Sequence, residues 1–202
     1  QTIRRLHEYS GDRFMLLAHG DGTFAIPDGD GMLDFAYRIA DDPESVHEQA
    51  EQMVRHAMEH DLRLLDAGLD GFILCSDYCF NKGPFLSPRM FAEFVTPYLA
   101  RLIETIRNHG GYAIKHTDGN IMPILPLMAS CKPDAFHSLD PQGGVSIPEV
   151  RKVIGDDICL IGNVNCGLLQ TGTDEECRKD VLRSLRQGME KGRGYVFATS
   201  NC

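Results

Sequence analysis

Residues 112–119 read Tyr-Ala-Ile-Lys-His-Thr-Asp-Gly, a short apolar run that turns polar at its end. Four residues ahead of a polar tip are too few for a helix and suit a buried strand whose carboxyl end opens onto a loop. The same form recurs at 14–18, 71–75, 135–139, 158–162 and 195–198. Each of these runs is followed by polar residues: His19, Asp77, Asp140, Asn163 with Asn165, and Cys202. In a parallel barrel the strands' carboxyl ends form the rim where chemistry collects.

Between the runs the apolar spacing changes to three and four. Val46, Ala50, Met53, Val54, Ala57, Met58, Leu62 and Leu65 mark a helix over 43–67, with Asp42 as its cap and Gly68 as its stop. Ser87-Pro88 opens a second stripe that runs to Ile106, which Pro97 should kink or split. Thr173 and Glu176 form a capping box for a third helix, with Gly192 as its stop. Weaker helices fit 31–39, 121–129 and 146–153. Six alternating units demand a parallel sheet covered by helices, and the polar strand ends favour a (β/α)8 barrel over a doubly wound sheet. No G-x-G-x-x-G follows the first strand, which leaves dinucleotide binding without support. A barrel has eight strands and six are visible, so residues 1–202 are expected to form one barrel domain with missing material at both ends.

Twenty-nine acidic against twenty basic side chains give a net charge of −9, which argues against nucleic acid as a partner. The apolar runs are far short of a bilayer span and the N-terminus has no signal-peptide pattern, so the expected compartment is the cytoplasm. Seven scattered cysteines then read as thiols.

His116 and Asp118, two residues apart on a strand, lie on one side and make a two-point site for a metal or for acid-base work. Neutral imidazole suits zinc, and Cys202 at another strand end could add a soft ligand. The same residues also fit a structural account, with Asp118 capping a helix from Asn120 and Cys202 a small buried hydrophobe. Asp77 is placed to bind substrate or to organise its own turn. His19, Asn163 and Asn165 are candidates for lining the mouth and holding a cofactor, whereas His137, inside a strand, receives no role. Lys115 and Arg89 read either as cations for a carboxylated ligand or as solvated strand-end and helix cations.

The ordered segments 77–91, Pro97-Tyr98, Lys115-His116-Thr117-Asp118-Gly119-Asn120 and Ile161-Gly162-Asn163-Val164 resemble the uroporphyrinogen decarboxylase superfamily over nearly the whole chain. The resemblance implies a (β/α)8 barrel that handles a tetrapyrrole at its mouth. It covers both the decarboxylases of haem biosynthesis and cobamide-dependent methyltransferases. The methyltransferase branch is recognised by a zinc site His-x-Cys followed much later by Cys; His116 and Cys202 fit it, and Asp118 stands where that pattern has cysteine. The implied chemistry is zinc-assisted methyl transfer from a methylcorrinoid to a thiol held at the open position, with Asp77 and His116 as catalytic residues. The implied partners are a tetrapyrrole or a corrinoid protein, and a homodimer joined by helix faces. The decarboxylase branch grips its substrate with an arginine-rich N-terminal segment that has no counterpart here. A non-catalytic corrinoid-binding barrel is the third reading.

Overall fold

The computed structural model describes residues 2–201. A helix α1 (Thr2–Ser10) leads into β1 (Leu17–Gly20), α2 (Gly31–Asp41), α3 (Pro43–Asp66) and β2 (Gly71–Leu74). A small antiparallel hairpin follows, β3 (Cys79–Phe80) with β4 (Gly83–Pro84), then α4 (Pro88–Phe94), α5 (Thr96–Asn108) and β5 (Tyr112–Thr117). The chain continues through α6 (Leu125–Ser130), β6 (Ala135–Ser138), α7 (Ile147–Ile154), β7 (Cys159–Val164), α8 (Cys166–Thr171), α9 (Asp174–Gly188) and β8 (Tyr195–Thr199). Among the described residues, no helix is long and apolar enough to cross a membrane.

The large sheet runs β1-β2-β5-β6-β7-β8, and every neighbouring pair is parallel. A doubly wound sheet reverses its strand order at a switch point. Here each new strand joins on the same side as the last, which is the winding of a (β/α)8 barrel, six of whose strands lie in this sheet.

Strand alternation sorts the side chains into two layers. Phe72, Leu74, Ala113, Phe136 and Leu160 are buried in one core with Val46, Ala50 and Val54 of α3 and Leu99, Leu102, Ile103 and Ile106 of α5. Each of the larger of these side chains, the two alanines aside, stabilises the fold by about 1.5–3 kcal/mol. The opposite face carries His19, Ile73, His116 and His137, none of them fully buried. The helix-facing layer therefore holds the wall together and leaves the other face available for chemistry.

Local signals explain most element ends. The Asp42 side chain caps α3, and Thr173 with Glu176 forms the capping box of α9. The long stripe after Ser87 splits at Val95, which leaves Pro97 in the first turn of α5, where a missing N–H is no loss. Other ends differ from the sequence reading. β1 begins at Leu17 because pairing starts only where Asp70 reaches the Leu16 backbone; Phe14 instead closes a 3-10 turn and is exposed. β5 and β7 run on through polar residues because their neighbours continue beside them, as His116↔His137, Thr117↔Ser138 and Val164↔Thr199 show. The α9 helix ends at Gly188, before Gly192, and α1, α8 and the β3–β4 hairpin carry no periodic signal strong enough to read.

Candidate metal centre

The site forms where β5 meets the segments that follow β2 and β6. Lys115 is fully buried on the helix side, and its Nζ donates to Asp21 Oδ2 at 2.8 Å, Ser76 O at 2.9 Å and Leu74 O at 3.0 Å. Asp21 also accepts from the Ser76 amide at 2.9 Å, and the Tyr78 amide donates to Thr117 Oγ1 at 2.8 Å. Asp77 is thus tethered on both sides. Burial alone would raise the Asp21 carboxyl, but the Lys115 charge and hydrogen bonds hold it below the usual carboxylate value. Lys115 is neither a solvated strand-end cation nor free for a carboxylated ligand: it is enclosed in the wall and paired with Asp21.

The loop after β5 is fixed from two directions. Asp140 Oδ2 accepts from the Gly119 amide at 3.2 Å, while the Asn120 amide donates to Phe80 O at 3.0 Å. Gly119 has φ +75°, and a Cβ there would lie 2.6 Å from Phe80 O. Only glycine lets the hairpin approach so closely.

On this frame His116 Nε2 stands 3.8 Å from Asp77 Oδ1 and 3.8 Å from Asp118 Oδ1. One ligand atom from each of the three residues lies within 4.8 Å of the others, the only such group among the described residues. Asp118 does not cap a helix from Asn120. Its Oδ1 accepts from Ser138 Oγ at 2.6 Å and its Oδ2 from Asn201 Nδ2. Each carboxylate oxygen keeps a second lone pair for a ligand role. Burial lowers the basicity of His116, which favours the neutral imidazole that can ligate; burial raises Asp118, with Asp77 and Asp140 adding to the effect. One nitrogen and two oxygens fit a divalent cation such as zinc, bound at about 2.0–2.2 Å, and make a harder site than a thiolate set would. Cys202, the expected soft ligand, lies outside the described residues.

A family model for uroporphyrinogen decarboxylase (URO-D) matches residues 28–201. The chain belongs to the uroporphyrinogen decarboxylase family. It is 24% identical over 187 residues to the uroporphyrinogen decarboxylase of Chlorobium luteolum, covering 87% of this chain and 49% of that protein. A methyltransferase from Methanosarcina mazei has the same fold, with a TM-score of 0.77 at 18% identity over 98% of this chain and 56% of that one. The chain therefore spans about half the length of each relative.

Within this uroporphyrinogen decarboxylase fold, the other residues singled out from sequence have different places. His19 lies within β1 rather than past it, is exposed, and is near enough to His116 for its charge to push that ring's pKa further down. Asn163 is fully buried in β7, donating to Leu139 O at 2.9 Å and accepting from Arg183 Nη1 at 3.1 Å. Asn165 caps α8 by accepting from the Gly167 amide at 2.9 Å. Both ends of the Asn163 amide are thus engaged inside the protein, and the Asn165 side-chain oxygen serves its own helix cap. Cys75, Cys79, Cys131, Cys159, Cys166 and Cys177 are free thiols, as expected. The residue that sequence reasoning passed over is His137, whose Nδ1 lies 2.8 Å from His116 Nδ1. Its only sequence signal is a histidine at an inward position of the next strand.

Proposed function

We propose that this uroporphyrinogen decarboxylase family chain carries out zinc-assisted methyl transfer from a methylcorrinoid to a thiol. The observation that supports it most is the convergence of Asp77, His116 and Asp118 at one rim. His116 Nε2, Asp118 and Asp77 would hold the ion, with Cys202 a further candidate ligand. When bound, zinc would acidify a thiol at the open position. The chain's own residues do the rest. Ser138 and Asn201 fix the Asp118 carboxylate, and the half-exposed Asp77 can pass the departing thiol proton to water. The sulfur–carbon bond forms as the cobalt–carbon bond breaks, and its electron pair stays on cobalt. The similarity of fold to a methyltransferase agrees with this reading.

The family description and the curated relative favour a second reading, porphyrinogen decarboxylation. That reaction needs cations to bind the substrate carboxylates, and Lys115 is already paired with Asp21. A corrinoid-binding barrel without catalysis is the remaining alternative. The deciding test is methyl transfer from methylcobalamin to a small thiol with zinc present, run beside uroporphyrinogen consumption. Transfer that requires His116 supports the proposal; porphyrinogen turnover without transfer overturns it.

A further inference from the structure

His116 and His137 are register partners on β5 and β6. Their ring centroids lie 4.9 Å apart, their planes are tilted by 33°, and their Nδ1 atoms approach to 2.8 Å. Two ring nitrogens at that distance share one proton, so one Nδ1 donates and the other accepts. The far side of His116 decides the direction. Its Nε2 faces Asp77 Oδ1 and Asp118 Oδ1 at 3.8 Å each. An imidazole that ligates through Nε2 has no proton there and carries its single proton on Nδ1. Such an Nδ1–H would meet the Nδ1 of His137.

We infer that His137 is a positioning residue: it accepts the Nδ1 proton of His116 and thereby holds the bare Nε2 toward Asp77 and Asp118. The inference rests on the metal reading above. Metal-bound histidines ordinarily give this hydrogen bond to a carboxylate, a carbonyl or water, and losing the acceptor weakens metal binding. Here a second imidazole from the adjacent strand takes that place, and the ladder between β5 and β6 fixes its distance.

The test titrates metal-free full chain with zinc alone, comparing wild type with His137→Phe, which cannot accept, and His137→Asn, whose amide oxygen can. Zinc should bind His137→Phe about ten- to a hundred-fold more weakly, and His137→Asn should recover most of the loss. In zinc-loaded wild type, nitrogen-15 NMR should show coupling across the N–H···N bond with the proton on His116 Nδ1. Equal zinc affinity in wild type and His137→Phe overturns the role of His137 alone, as does a proton on His116 Nε2. Wild type that binds no zinc overturns the metal reading and this inference together.

Discussion

Lys115 and His116 are consecutive on β5, yet they serve opposite layers of the barrel wall. Lys115 is fully buried against Asp21 on the helix side, while His116 faces Asp77 and Asp118. The buried pair ties the segment after β1 to the ends of β2 and β5, which carry Asp77 and His116. Position 115 should therefore govern stability, and position 116 should govern chemistry.

Replacing Lys115 by Met strands Asp21 as an unpaired buried carboxylate. Removing one partner of such a pair costs about 3–5 kcal/mol, so the variant should unfold at much lower urea. The double change Asp21→Asn with Lys115→Met should recover part of that loss, because no charge is left unpaired. A Lys115→Met variant as stable as wild type would contradict the structural role.

Acid should weaken the same contact. The Asp21 pKa is held below its ordinary value in the fold, so its stabilising contribution is present above the unfolded value of 3.8 and fades as pH falls through the folded one. Urea midpoints should drop steeply below about pH 4, and Asp21→Asn should flatten that drop.

Gly119→Ala places a Cβ 2.6 Å from Phe80 O at φ +75°. The backbone conformation alone costs about 1–2 kcal/mol in a residue with a side chain, and the clash adds to it. Thermal unfolding should fall accordingly. Zinc binding should weaken as well, because Gly119 adjoins Asp118 and its amide donates to Asp140.

Asp118→Asn tests the carboxylate directly. The amide oxygen can still accept from Ser138, so the fold should persist, but one negative ligand is gone. Zinc affinity should fall at least about tenfold while the circular-dichroism spectrum stays unchanged. Unchanged affinity would remove Asp118 from the metal centre.

The fold was largely readable because short apolar runs alternate with helical stripes, and because Asp42, Thr173 and Glu176 are local signals that need no partner elsewhere. His116 and Asp118 were readable as a pair because strand alternation puts residues two apart on one side. The environment of Lys115 was not readable, since its partner Asp21 lies 94 positions away. His137 was hidden for the same reason: its contact with His116 depends on the register between two strands, which no run of residues encodes alone. Asn163 and Asn165 looked like ligand groups because their polarity follows an apolar run. The strand continues past Asn163 because β8 pairs with it there, and Asn165 turns the chain into α8.

The proposed function stands or falls on whether Asp77, His116 and Asp118 hold a divalent cation. The most direct measurement is metal content by mass spectrometry on full chain purified without chelator, beside His116→Ala. Near-stoichiometric zinc in wild type, lost in a His116→Ala variant that still folds, is the expected result. Metal-free wild type, or zinc retained without His116, would contradict it.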